Sequence, residues 1–182
     1  MATVQKMNLL KGFKTVFNEK IINLQSVRKF RMRIIVTGGA IIRDRQGRIL
    51  LQKRSDYGDW GLPGGGMNAG ESVEETMIRE VYEETGLEIK QYDLYAVYSG
   101  PRMKYRYPDG NEVIFVMFIF NAEVDIEGRV NEDSLLIYRD ENYESLRLEF
   151  KLLEAINIEE INIVQRPLFE DLKNNVITIL RT

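Results

Sequence analysis

Three glutamates, Glu80, Glu83 and Glu84, fall within five residues in the stretch REVYEETG (79–86). Like charges at i,i+3 or i,i+4 cost about 0.2–0.5 kcal/mol per pair in water, and more at a partly buried edge. Two arrangements relieve that repulsion: the acids face solvent, or a multiply charged cation lies among them. Composition restricts which cation. The 182 residues include no histidine and no cysteine, which removes the Ser-His-Asp triad, histidine-bound zinc, thiolate metal sites and cysteine nucleophiles. A metal here must be held by oxygen, which points to a hard ion, Mg²⁺ or Mn²⁺.

The acids need an element to display them, and residues 72–85 read as a helix. Ser72 and Glu75 form an S-x-x-E capping box, and Gly86 is the expected stop. At about 100° per residue, with Val73 at zero, Met77, Val81, Thr85 and Ile78 form an apolar stripe between roughly 0° and 140°. Glu80, Glu83 and Glu84 share an arc of roughly 100° bordering that stripe. Glu84 falls between Val73 and Met77, where solvation is hardest.

Around the helix, IIVTGGAIIRD (34–44) and RILLQKR (48–54) read as strands joined by an RQG turn. SDYGDWGLPGGGMNAGE (55–71) reads as a long loop. LEIKQYDLYAVYSG (87–100) and EVIFVMFIFNAEV (112–124) are strand-like about a YPDGNE turn. LRLEFKLLEAI (146–156) is a further strand, and RPLFEDLKNNVITIL (166–180) a closing helix with Pro167 near its start. Strands and helices interleave around one core, so the class is α/β or α+β with a mixed sheet.

From Gly65 the chain runs Gly, five residues, Glu71, seven residues, Arg79-Glu80, Val81, Tyr82, Glu83-Glu84, Thr85, Gly86, Leu87. This resembles the Nudix box, with every specified position filled. Chance would supply the seven fixed residues about once in 10⁸ windows. The resemblance extends over roughly residues 34 to 172. It implies a Nudix-type α/β/α sandwich with a mixed β-sheet, and hydrolysis by water of the diphosphate bridge in a nucleoside diphosphate derivative or nucleoside triphosphate. It also implies Glu80, Glu83 and Glu84 as ligands of Mg²⁺ (or Mn²⁺), joined by the Gly64 carbonyl. Glu71 and Arg79 would be a salt bridge orienting the motif, and Glu84 both ligand and base. Glu144 and Glu112 are candidates for an extra base or ligand, or are ordinary surface acids. A homodimer is expected on the same ground.

The residues outside the box suggest where substrate goes. Arg54 ends a strand beside the loop and could reach phosphate. In PRMKYRYP (101–108), an extended chain would set Arg102, Lys104 and Arg106 on one face and Met103, Tyr105 and Tyr107 on the other. That pairing suits a phosphate and a stacked base, or equally a solvated hairpin. Trp60 is either a stacking platform or packed under its loop. Pro101 would hint at ADP-ribose and Tyr105 at dinucleoside polyphosphates, two cues that conflict.

Two further readings remain open: a Nudix-fold module that senses nucleotide without cleaving it, and an RNA-directed, decapping-type enzyme. The first is opposed by a box that has lost no glutamate. For the second, the one supporting feature is charge asymmetry. Residues 1–33 carry +7, leaving −10 for residues 34–182, and an acidic body disfavours nucleic acid. Residues 1–33 are therefore read as a basic N-terminal arm or extension, and 34–182 as the hydrolase domain. No apolar run reaches the length of a membrane span and no secretory h-region is present, so a cytoplasmic location is expected.

Overall fold

The structure, a computed structural model, describes residues 32–138 and 144–182. The basic arm lies outside the described residues apart from its last two positions. The elements are β1 (Arg33–Ile42), β2 (Ile49–Arg54), β3 (Trp60–Gly61), β4 (Gly64–Gly66), α1 (Val73–Thr85), β5 (Ile89–Tyr98), β6 (Lys104–Arg106), β7 (Glu112–Val124), β8 (Ser145–Lys151), α2 (Arg166–Lys173) and β9 (Leu180–Arg181).

One sheet runs β4-β1-β7-β5-β9, with β6 folded back on β7, and a second runs β3-β2-β8. The pairing of β9 with β5 is parallel, while β1–β4, β5–β7 and β6–β7 are antiparallel. The fold is thus α+β, with a mixed sheet and two helices among the described residues.

The apolar runs in β1 and β2 are continuous rather than alternating, and the packing shows why. Ile41, Ile49 and Leu51 join one core with Trp60, Tyr98 and Phe169. Ala40, Ile42 and Leu50 join another with Met77, Val81 and Phe120. Successive side chains of a strand point to opposite faces, so each strand feeds both cores. α2 supplies Leu168 and Phe169 to the first core, and α1 supplies Met77 and Val81 to the second. Burying such a side chain is worth about 1.5–3 kcal/mol.

Four expectations change. The 55–71 loop contains two short strands, because the backbone of Gly64–Gly66 pairs with Thr37–Gly39 and that of Trp60–Gly61 with β2. The strand expected over 146–156 ends at Lys151 and gives way to a 3-10 turn at Leu153–Ala155. The closing helix stops at Lys173. Asn175 there takes a left-handed φ of 53°, and the β-branched residues beyond it lead into β9, which suits their strand preference. Ile78, assigned to the buried stripe, lies at its rim and is exposed.

The end of the chain is held by polar contacts. The buried Arg181 guanidinium donates to the Thr178 and Val176 carbonyls at 2.8 and 2.9 Å. It also stacks over the Tyr95 ring at 4.6 Å and reaches Asp171 at 3.6 Å. Arg102 pairs with the same aspartate at 3.2 Å, so β9, α2 and the start of the β6–β7 hairpin are tied through one carboxylate.

Candidate active site

The acidic helix begins and ends as its sequence dictates. Ser72 Oγ accepts the Glu75 N–H at 3.1 Å and the Glu75 carboxylate accepts the Ser72 N–H at 2.8 Å. Gly86 closes the helix in the left-handed region, φ 63°. α1 has no basic residue in its last turn. Arg129 supplies that charge from elsewhere, donating to the carbonyls of Gly86 at 2.8 Å and Thr85 at 3.2 Å, where the negative end of the helix dipole favours a cation.

Glycines bring the helix close to β1 and β4. A Cβ on Gly38 would lie 2.7 Å from the Val73 carbonyl, and one on Gly65 would lie 2.6 Å from the Glu80 carboxylate. Gly64 has φ +145°, and a Cβ there would lie 2.4 Å from Gly39 Cα. Only bare backbone fits this crossing, and it delivers the Gly64 N–H to Glu84 Oε2 at 2.8 Å.

Of the three glutamates, Glu84 is the deepest, 3% exposed. Burial pushes its carboxyl up to about 8. The Gly64 N–H and the Gln52 side chain oppose that rise, and the neighbouring Glu80 adds to it. Glu80 is also raised, first by burial and further by Glu83 and Glu144, against the opposing pull of Arg79. Arg79 sits at the centre of the cluster. It grips Glu71 with Nε and Nη2 at 2.7 and 3.0 Å and gives Nη1 to Glu80 at 2.7 Å and Glu83 at 3.0 Å. Nη2 also reaches the Gly66 carbonyl at 3.0 Å. This pairing holds the Glu71 carboxyl far below the usual carboxylate range.

Opposite pH dependences follow in the metal-free protein. Glu84 holds its proton more tightly folded than unfolded, where a glutamate titrates near 4.3. Its contribution is therefore complete below the unfolded value and is lost as pH climbs towards about 8. Glu71 contributes above its unfolded value and loses that contribution as acid protonates it. Thermal melts in EDTA should accordingly fall steadily from about pH 5.5 to 7 and level off as the pH passes about 8. A flat profile over that range would contradict the burial of Glu84.

Among the described residues, no three carboxylates converge into a ready-made metal cage. Two are held by Arg79 and the third by a backbone N–H. The donor set nevertheless fits a hard cation. All its donors are oxygens, two of its carboxylates are raised by burial and mutual repulsion, and Gly65 leaves room for Glu80.

Beside the cluster opens a cleft of roughly 340 Å³. Its floor is Gly38, Gly39 and Gly64–Gly66, and its walls include Arg54, Tyr57, Tyr105, Tyr107 and Gln165. Arg54 Nε and Nη2 bind Asp56 at 3.0 and 2.7 Å. The Glu84 and Asp59 carboxylates both raise its proton affinity, after Asp56. Tyr105 and Tyr107 meet edge to face, centroids 4.9 Å apart.

The structure does not bring Arg102, Lys104 and Arg106 to this cleft. Pro101–Met103 forms a 3-10 turn, and pairing of β6 with β7 turns the tyrosine face of the hairpin inward instead. Arg102 is engaged with Asp171, and Lys104 with Glu112 at 2.9 Å. Glu112 is therefore part of a hairpin ion pair outside the cleft lining. Glu144 is exposed, yet its charge acts on Glu80 and its carbonyl accepts the Ser55 N–H at 2.9 Å. Trp60 is 7% exposed and belongs to the core, with Lys151 Nζ 3.8 Å from its ring centroid, so it offers no stacking platform. Gln52, Arg129 and Gln165 carried no sequence signal, since a lone polar residue has no periodicity.

The NUDIX domain model matches residues 33–172. An ADP-ribose pyrophosphatase of Methanocaldococcus jannaschii is 32% identical over 125 residues, which span 65% of this chain and 72% of that protein. An RNA pyrophosphohydrolase of Edwardsiella ictaluri is 43% identical over 58 residues, only 32% of this chain and 33% of that one. Among solved structures, a MutT protein from Methanosarcina mazei superposes with a TM-score of 0.55 at 25% identity, covering 80% of this chain and 97% of the other. The chain belongs to the Nudix family and is a hydrolase acting on pyrophosphate bonds. No helix among the described residues is long and apolar enough to cross a membrane.

Proposed function

We propose that this Nudix enzyme uses Mg²⁺ or Mn²⁺ to cleave the diphosphate bond of a nucleoside diphosphate derivative or nucleoside triphosphate, water attacking phosphorus. The observation that carries the reading is the buried carboxylate of Glu84 and the half-buried one of Glu80, beside a glycine-floored cleft that also holds Arg54. Glu80, Glu83 and Glu84 would hold the metal. When bound, the ion neutralises charge growing on the phosphoryl oxygens and acidifies water. Burial alone keeps Glu84 protonated at neutral pH, and a nearby positive charge favours its ionised form. Oε2 is anchored on the Gly64 N–H, and the ionised Glu84 carboxylate would accept the proton of the attacking water. The new bond is water oxygen to phosphorus, the bridging P–O bond breaks, and the departing phosphate carries the electron pair. Arg54 Nη1, the guanidinium nitrogen not bound to Asp56, would meet a phosphate.

The ADP-ribose pyrophosphatase supports a nucleoside diphosphate linked to a second group as the substrate class. The RNA pyrophosphohydrolase likeness covers a third of the chain and supports triphosphorylated RNA only as a second candidate. Purified protein should release phosphate species from at least one member of a panel of nucleoside diphosphate derivatives, nucleoside triphosphates and 5′-triphosphorylated RNA. Release should require Mg²⁺ or Mn²⁺ and stop in EDTA. Binding without cleavage of any member, with either metal, would reject hydrolysis and leave a sensing module.

A further inference from the structure

Gln52 interrupts an apolar run. It follows Ile49, Leu50 and Leu51 in β2 and is buried as deeply as they are, 1% exposed. An apolar side chain would fill that position without the cost of burying an amide. Gln52 Nε2 donates to Ser145 Oγ at 2.8 Å, and Oε1 is buried with no hydrogen-bond partner among the described residues. A buried acceptor left unpaired lowers stability, so packing does not account for the residue.

The unpaired oxygen is explained by what the nitrogen does. Ser145 has one hydroxyl proton, and gives it to the Glu84 carbonyl at 3.3 Å. Towards Gln52, Ser145 Oγ therefore accepts, which sets the amide nitrogen and not the oxygen on that side. The same amide donates to the Glu84 carboxylate, where an oxygen turned inward would be repelled. Glu84 is thus held along its length: the carbonyl by Ser145, and the carboxylate by Gln52 and by the Gly64 N–H at 2.8 Å. The register of β2 with β8 slips between Lys53 and Arg54 and puts Ser145 opposite Arg54, so the partners of Glu84 come from adjoining positions of two paired strands.

We infer that Gln52 is a positioning residue for hydrolysis: its amide, keyed by Ser145, fixes the Glu84 carboxylate in the orientation that meets metal and water. This rests on the role given to Glu84 above. Gln52 is absent from the lining of the cleft, so it acts through Glu84 and not on the substrate.

Gln52→Met tests it. The variant keeps an unbranched side chain of similar length, and removes both donors together with the unpaired oxygen. On the panel member that the parent cleaves fastest, turnover should fall about ten-fold or more while KM changes less than about two-fold. Mn²⁺ titrated into the substrate-free protein, followed by electron paramagnetic resonance, should bind about ten-fold more weakly. In a Glu84→Gln background the same substitution should move neither quantity by more than about two-fold, because the group it positions is gone. Equal losses in both backgrounds would reduce Gln52 to a packing role and overturn the inference, as would parental turnover or parental Mn²⁺ affinity in Gln52→Met. If Gln52→Met does not fold, Gln52→Leu replaces it in the cycle, and failure of both to fold would make the residue a structural one and overturn the inference too. A slow Glu84→Gln beside a Gln52→Met of parental rate removes the inference and leaves the hydrolase reading standing. A parent that cleaves no panel member but shows the Mn²⁺ pattern does the opposite.

Discussion

Glu84→Gln should lower turnover at least ~10²-fold and, in EDTA at pH 8, make the protein more stable. The two effects have one cause. At 3% exposure, an ionised carboxylate costs desolvation energy that a neutral amide does not. The glutamine oxygen can still accept the Gly64 N–H that Glu84 accepts at 2.8 Å, so no backbone donor is orphaned. The gain at pH 8 should reach about 4–5 kcal/mol, since the wild-type group ionises in the folded chain only near pH 8 while its unfolded counterpart does so near 4.3. Added Mg²⁺ should stabilise the wild type and have little effect on the variant. Steady-state rates across a metal series, paired with urea midpoints in EDTA, test both parts. Near-normal rates at any metal concentration would remove Glu84 from its assigned role, and a destabilised variant would show that its carboxylate is a structural group.

Gly64→Ala should be the most damaging small substitution in the domain, costing roughly 4 kcal/mol or more. The added Cβ would lie 2.4 Å from Gly39 Cα and 2.5 Å from the Gly38 carbonyl oxygen, both backbone atoms in the register of β1 with β4. A flexible side chain could swing aside, but a paired strand cannot. The φ of +145° is also one that residues with a Cβ rarely adopt. Gly66→Ala is the control two positions on, since its Cβ would have no atom within 4 Å, and its stability should stay within about 0.5 kcal/mol of the parent. Urea midpoints for the two variants should differ widely. Similar values would mean that the crossing of β1 and β4 is looser than its packing indicates.

The readable parts of the sequence were those governed by local periodicity. The capping box at Ser72 and Glu75, the left-handed stop at Gly86 and the inward lean of Glu84 all follow from spacing along one helix, and the structure has each of them. The basic face at Arg102, Lys104 and Arg106 lies off the cleft lining, because alternation fixes which residues share a face, not which face looks into a cleft. That choice belongs to the pairing of β6 with β7, a long-range decision. The closing helix was overextended because an apolar run in one window cannot show that β5 waits to pair with it. Gln165, Gln52 and Arg129 were invisible for a different reason: each acts through one hydrogen-bonded partner distant in sequence, and one residue carries no pattern.

The strands that carry residues into two cores also set how the domain can vary. In a sheet with one wet side, every second position is free to change, and sequence drift accumulates there at little cost. Residues 40–42 and 49–51 have no such sheltered parity, each being at most 1% exposed. A methyl group added or removed at any of them disturbs a packed neighbour on one side or the other, and compensation has to come from that side alone. The same two strands lead into the glycine crossing at one end and to Arg54 at the other, so the cleft is hung on the least adjustable stretch of chain, and new specificities have to be built from the hairpin and the segment before α2.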